Sequence, residues 1–160
     1  ALPFLKEKHI EEIFERLGVL TPVELESRFD VYAEQYINSI EVEAKLVVSI
    51  AKTMIYPAAI RYLSELSASI AKLKKIKIEL ETEIVEKVAS LTQLMMDTVS
   101  KLSAAMSNHD FATTEEHMQY FAQTIRPLMD KVREYADALE AEVADDLWPL
   151  PTYQEMLFIK

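Results

Sequence analysis

The stretch "LGVLTPVE", from Leu17 to Glu24, contains the signals that end one helix and begin the next. Gly18 stands where a helix needs a residue with positive φ to close its last turn. Thr21, Pro22 and Glu24 then occupy the N-cap, N1 and N3 positions of the following helix, which is a capping box with a favoured proline. The sequence therefore predicts a leading helix over residues 1–18 and a second helix that starts at Pro22.

Three long stretches with helical periodicity follow the capping box. The first runs through Pro57, where an interior proline predicts a kink near Ile55–Tyr56 rather than an end. We place a turn at residues 72–78, because one unbroken helix to Met106 would be roughly 125 Å long, although a continuous coiled coil would show the same pattern. Thr113 can cap the last long helix, and Pro127 should bend it. The predicted long helices are 22–73, 78–106 and 114–146.

Apolar residues recur every three or four positions in each of these helices, as expected for a buried helix face. In the first helix the predicted core positions are Phe29, Tyr32, Tyr36, Ile40, Ala44, Val47, Ala51, Met54, Ala58, Tyr62, Leu66, Ile70 and Leu73. In the second they are Leu80, Ile84, Val88, Leu91, Met95, Thr98, Leu102 and Ala105. In the third they are Phe121, Ile125, Leu128, Val132, Tyr135, Leu139 and Glu142 or Val143.

The composition favours a single all-α domain. The chain of 160 residues has one glycine, whereas β-hairpins and phosphate-binding loops depend on the positive φ that glycine adopts. Half of the residues are hydrophobic and 28% are charged, as in folded globular proteins. The predicted fold is an antiparallel bundle of three long kinked helices, with a shorter N-terminal helix and an extended C-terminal tail, and residues 1–160 form one domain.

The charge and the composition exclude several classes of partner. A net charge of −10 repels nucleic-acid phosphates and anionic membranes. There is no signal peptide and no uncharged apolar run near the ~20 residues of a membrane span. The absence of cysteine fits a cytoplasmic protein. We therefore expect neither nucleic acid nor a membrane as partner, and a cytoplasmic location.

No catalytic, cofactor-binding or metal-binding residue is predicted in the chain. A di-metal helical bundle needs Glu-x-x-His on two helices, but the residues three before the histidines are Lys6, Met106 and Thr114. His9 and His117 are therefore expected at the surface. The serines lack a nucleophile elbow, and no glycine-rich loop is available for a nucleotide.

The final segment, "DDLWPLPTYQEMLFIK" from Asp145 to Lys160, is unusually apolar for a chain end. We expect the last helix to stop at Trp148-Pro149 and residues 147–160 to form a proline-stiffened tail. Two interpretations remain open: the tail caps its own bundle, or it docks on another domain or subunit. The candidate docking residues are Trp148, Pro149, Pro151, Tyr153, Leu157 and Phe158.

Three motifs resemble a known family. "GVLTPVELESRF" (18–29), "PAAIRY" (57–62) and "WPLPTY" (148–153) together resemble, end to end and in order, the C-terminal region of type III glutamine synthetases. Two departures stand out. Phe29 replaces the usual tyrosine, and residues 72–78 lack the glycine-containing loop of that family.

This resemblance implies that the chain is a non-catalytic fragment of an ATP-dependent ligase that joins ammonia to glutamate. The parent enzyme would use Mg or Mn ions and form a ring-based oligomer, with its catalytic motifs upstream of these residues. The implied partners of the fragment are the catalytic domain of the same chain and neighbouring subunits. The alternative is a stand-alone helical-bundle or coiled-coil interaction module, and the length of the native polypeptide would distinguish the two.

Overall fold

All secondary structure in the computed structural model is helical within the residues that it describes, which are 2–108, 110–151 and 153–157. The predicted all-α class is therefore confirmed. A 54-residue helix from Pro22 to Lys75 dominates the molecule, and at 1.5 Å per residue it is about 80 Å long. The helices are a 3-10 helix (Leu2–Lys6), α1 (Lys8–Arg16), α2 (Pro22–Ile50), α3 (Tyr56–Lys75), α4 (Glu83–Met106), α5 (Thr114–Tyr120), α6 (Arg126–Glu140) and α7 (Tyr153–Leu157).

Both predicted N-caps are present. The backbone N–H of Thr21 donates to the Glu24 carboxylate at 2.8 Å, and the backbone N–H of Glu24 donates to the Thr21 hydroxyl at 3.3 Å. The hydrogen bonds from the backbone and then the side chain of Thr21 hold the pKa of Glu24 below its usual range. At the start of α5, the backbone N–H of Glu116 donates to the Thr113 hydroxyl at 3.2 Å. These caps explain why α2 and α5 begin where the sequence predicts.

A π-helical turn lies immediately before each of the two interior prolines. Ala51–Ile55 joins α2 to α3 ahead of Pro57, and Phe121–Ile125 joins α5 to α6 ahead of Pro127. In each turn the next N–H bonds five residues back, Tyr56 to the carbonyl of Ala51 and Arg126 to that of Phe121. A proline ring crowds the carbonyl four residues earlier and offers no N–H. The wider turn accommodates both effects without ending the helix.

The first π turn shifts which residues face the core. Ala51, Ile55 and Ala59 are buried at successive four-residue steps, whereas the sequence pattern predicted Met54, which is 36% exposed. The prediction was wrong there because an ordinary helix repeat cannot anticipate an extra residue in a turn. The predicted burial of Tyr32 and Leu80 was also wrong, since they are 45% and 54% exposed.

The core is formed where the long helix, α4 and the α5–α6 segment meet. The α4 helix packs mainly on α6, and α2 packs on α5. The hydroxyl of Tyr120 donates to the carbonyl of Ala105 at 3.1 Å near the end of α4, while Lys87 near its start pairs with Glu142 at 2.5 Å. The two ends of α4 therefore meet opposite ends of the α5–α6 segment. The largest fully buried side chains are Phe29, Met95, Leu102, Ile125, Leu139, Val88 and Val99.

The connection between α3 and α4 lies in and just beyond the predicted turn region. The α3 helix ends at Lys75 and α4 begins at Glu83 rather than at residue 78. The backbone N–H of Ile78 bonds to the carbonyl of Leu73 at 3.1 Å, which closes a Schellman motif. Lys77 occupies the C′ position of this motif with φ 62°. Gly18 holds the same position after α1, with φ 64° and a backbone bond from Val19 to Phe14.

These two helix ends form a matched pair for mutation. Replacing Lys77 with glycine should raise the free energy of unfolding by about 0.5–1 kcal/mol, because a lysine Cβ is strained at positive φ. Replacing Gly18 with alanine should lower it by about 1 kcal/mol, and no atom lies within 4 Å of the added Cβ. Urea unfolding followed by circular dichroism would measure both. A loss of stability in Lys77→Gly would contradict this account of the turn.

Candidate interaction surfaces

The start of the C-terminal segment packs on the chain's own core. Trp148 is 9% exposed and belongs to the core cluster, with Leu147 and Leu150 half-buried beside it. Backbone N–H groups of Leu147 and Trp148 donate to the carbonyl of Ala144 at 2.9 and 3.1 Å, so a tight turn aims the indole inward. The indole N–H is buried and finds no hydrogen-bond acceptor in the described part of the chain.

The rest of the segment leaves the core. Pro149 is half-buried and Pro151 is exposed. The α7 helix then follows, with Met156 60% and Leu157 67% exposed. The side chain of Tyr153 and all of Phe158 lie outside the described residues. Among the candidate docking residues whose side chains the structure describes, Trp148 is buried and Leu157 is exposed, so these two do not share one surface.

An aromatic cluster surrounds the turn between α4 and α5, which the sequence pattern marked only as a break. The ring of Phe111 stacks on His117 with 4.4 Å between centroids, and His117 meets the edge of Phe121 at 4.9 Å. His117 is half-buried rather than at the surface as predicted, whereas His9 is exposed. A cleft of about 560 Å³ opens beside the cluster, with Glu34, Asn38 and Thr113 in its wall. Phe111, His117 and Phe121 lie close together in the sequence around the start of α5. This proximity is the sequence signal for the cluster.

The outer side of the long helix is apolar and uncovered. Val31 and Val42 are 58% exposed and Leu46 is 54% exposed. The helix Pro22–Lys75 includes an 18-residue window long and apolar enough to cross a membrane, and only 22% of that window is buried. Core helices of soluble proteins pass the same test, so one such helix is weak evidence for a membrane span.

The polar groups of the molecule form structural contacts. The hydrogen bond and the charge of Glu142 raise the pKa of Lys87, and Glu134 does the same for Lys131. The buried hydroxyls of Thr92 and Thr98 donate to the carbonyls four residues earlier, at 2.7 and 2.8 Å. Among the described residues no group of three or more His, Asp or Glu side chains is arranged to hold a metal ion. The Lys87–Glu142 pair links α4 to the residues that follow α6, and the other polar contacts lie within single helices.

Comparison with known proteins gives a consistent result. Residues 1–74 match the family described as the glutamine synthetase C-terminal domain. A glutamine synthetase of Bacteroides fragilis (strain YCH46) is 28% identical over 154 residues, covering 89% of this chain and 21% of that protein. A type-3 glutamine synthetase of Dictyostelium discoideum is 29% identical, covering 96% of this chain and 22% of that protein. A glutamine synthetase of Butyrivibrio fibrisolvens is 26% identical, with 98% and 23% covered.

The chain therefore spans about a fifth of the length of the relatives that it matches. The family match covers the leading helix, the capping box and the long helix, and the relatives extend the similarity over nearly all of the chain.

Proposed function

We propose that this chain, whose resemblance to the C-terminal region of type III glutamine synthetases is confirmed by these comparisons, is the non-catalytic helical domain of a glutamate–ammonia ligase. Its role is to stabilise the catalytic core and to contribute to subunit contacts. Its partners are the catalytic domain of the same polypeptide and neighbouring subunits in a cytoplasmic oligomer. ATP and Mg or Mn ions would be bound by the catalytic domain.

The observation that carries this proposal is the amount of exposed surface. The chain exposes 11068 Å², whereas a compact monomer of 18.4 kDa exposes roughly 8,200 Å². The difference of about 2,900 Å² lies in the range buried by obligate subunit interfaces. It coincides with exposed aliphatic residues at both chain ends and along the long helix. A domain that docks on a larger body accounts for such a surface.

The proposed arrangement is an antiparallel bundle of the long helix, α4 and the α5–α6 segment, with residues 147–160 as a tail whose exposed end docks on another domain or subunit. The contacts of α4 with opposite ends of the α5–α6 segment support the antiparallel order. The exposure of Met156 and Leu157 supports a docking role for the end of the tail. The burial of Trp148 supports a role for the start of the same segment in the bundle itself.

The test of the whole domain compares the full-length enzyme with a version that lacks residues 1–160. We expect full-length protein to convert glutamate, ammonia and Mg-ATP to glutamine, and the deletion to give smaller assemblies by light scattering and a lower thermal midpoint. An unchanged oligomer with full activity would overturn the proposed role. A native polypeptide with no ligase region would overturn the family assignment itself.

The tail is tested by two truncations of the full-length enzyme. A stop after Pro151 removes the exposed α7 helix and should weaken assembly while leaving the domain's unfolding midpoint unchanged. A stop after Asp146 also removes Trp148 and should lower that midpoint, so it controls for loss of fold. The pair Met156→Ser and Leu157→Ser should reproduce the first truncation. Unaltered assembly after the first truncation would contradict the docking role of the tail.

A further inference from the structure

The exposed side of α2 has an apolar line opposite the side that packs in the core. Val31, Val42 and Leu46 lie along it at spacings of eleven and four residues, which return to one helix face after three turns and one turn. Each of the three is more than half exposed. The core-facing side of the same helix contains Ala33, Ile37 and Ala44, which are 0–5% exposed. The helix therefore offers apolar contacts on two opposite sides, and the chain fills one of them.

Four charged residues follow this apolar line along one flank. They are Glu34 and Glu41, seven residues apart, and Lys45 and Lys52, also seven residues apart. At about 100° per residue, Glu34, Glu41 and Lys45 fall within an arc of roughly 40°, and Lys52 follows in the π turn just beyond the end of α2. Glu41 and Lys45 already pair within the chain at 2.6 Å, and the side chain of Lys45 remains 64% exposed. The order along the flank is acid, acid, base, base.

This order is self-complementary when two helices run in opposite directions. Rotation about a two-fold axis near Glu43 places Glu34 opposite Lys52 of a second copy, and Glu41 opposite Lys45 of that copy. The same rotation brings Val42 next to Val42 of the second copy at the axis, with Leu46 one helical turn away on either side. In a parallel two-fold pairing this flank would face the opposite flank of the second copy, so these four charges would not meet one another.

We propose that the outer face of α2 binds the same face of a second copy of this chain in an antiparallel, two-fold contact. Charge complementarity along the flank, with the exposed Val42 and Leu46 at the centre of the contact, selects this occupant. The excess surface of about 2,900 Å² provides room for such a contact. An anionic membrane is a poor alternative, because the chain carries a net charge of −10 and Glu34 and Glu41 flank the face. The proposal rests on the domain's proposed role in subunit contacts and names one of them.

The experiment uses charge reversal in the full-length protein. Variant A carries Glu34→Lys and Glu41→Lys, so its flank has four positive charges, and variant B carries Lys45→Glu and Lys52→Glu, so its flank has four negative charges. Each variant alone should associate through this face roughly tenfold more weakly than the wild type. An equimolar mixture of A and B should recover the association. Sedimentation velocity at low salt would measure the assembly.

A third variant with all four changes is the matched control. Its flank reads base, base, acid, acid, so it remains self-complementary and should assemble like the wild type. Circular dichroism would establish that all variants fold, which is expected since the changed positions lie on the outer side of the helix. Carbodiimide cross-linking of mixed ¹⁴N- and ¹⁵N-labelled chains should join Lys52 of one copy to Glu34 of another.

The outcomes separate the occupants of the face. Single variants that assemble like the wild type, or a mixture that fails to recover, would overturn the proposal. Cross-links from Lys45 and Lys52 to the catalytic region of the same chain would assign the face to that region instead. Binding of the wild type to phosphatidylserine vesicles that variant B loses would assign it to a membrane. Deletion of residues 1–160 could still disrupt assembly in any of these cases, so failure here is distinct from failure of the proposed function.

Discussion

Replacing Trp148 with alanine is expected to lower the free energy of unfolding by about 3–5 kcal/mol. The indole is 9% exposed in the core cluster and is flanked by Leu147 and Leu150, so its removal leaves a cavity that two half-buried side chains cannot fill. Trp148→Phe is the matched control. It keeps most of the apolar ring and deletes an N–H without an acceptor in the described chain, so it should cost well under half as much.

The measurement is urea unfolding followed by circular dichroism, because Trp148 is the only tryptophan and its fluorescence disappears with the substitution. A loss of unfolding free energy below about 1 kcal/mol would contradict the core role, since removal of a buried indole costs several times as much. In that case Trp148 would belong to the docking surface together with Leu157. The result therefore decides between the two interpretations of the tail that the sequence leaves open.

Replacing Phe29 with alanine is expected to cost about 3–5 kcal/mol. Phe29 is fully buried, and the Nζ atom of Lys6 lies 4.2 Å from its ring centroid. The 3-10 helix Leu2–Lys6 packs on α2 in this region, so the substitution should also release the leading segment. Phe29→Leu, which keeps an apolar side chain of similar length, should cost less.

Val31→Ala is the surface control for this prediction, because Val31 lies two residues away on the opposite side of the helix and is 58% exposed. It should change the free energy of unfolding by no more than about 0.5 kcal/mol. Urea unfolding would measure all three variants, and hydrogen exchange would follow the amides of α1. Similar losses of unfolding free energy for Phe29→Ala and Val31→Ala would contradict the burial of one side of α2 and the exposure of the other.

Local signals were enough to predict the starts of α2 and α5. Thr21 and Thr113 are bonded to the N–H groups of Glu24 and Glu116 as the capping pattern requires, because a cap involves residues only three apart. The predicted start of α4 was wrong because no capping pattern marks it. The helix begins at Glu83 rather than at residue 78, and Thr82 before it makes no side-chain hydrogen bond to the backbone.

The candidate docking surface stays a prediction. An aromatic residue in a proline-rich tail can face its own core or another protein, and both require the same residue types. In the structure Trp148 is buried in the core cluster and Leu157 is exposed. This difference depends on which residues of the segment contact the bundle, and the residue types alone do not specify that. The aromatic cluster at Phe111 and His117 was missed because its members come from a loop and a helix start.

The sequence by itself determined the all-α class, the capping box at Thr21, the helix-ending role of Gly18 and the apolar positions of α4 and α6. Each follows from residues within one or two helical turns, where sequence spacing is also spatial proximity. Tertiary structure decided which tail residues are buried and which apolar side of the long helix stays open. It also showed the shift of the core from Met54 to Ile55 across a π turn. The burial of the tail residues and of one side of the long helix depends on contacts between residues far apart in the chain, since a helix with apolar residues on two sides cannot specify which side its neighbours will cover. The shift follows from the wider turn ahead of Pro57, which a regular helical repeat does not indicate.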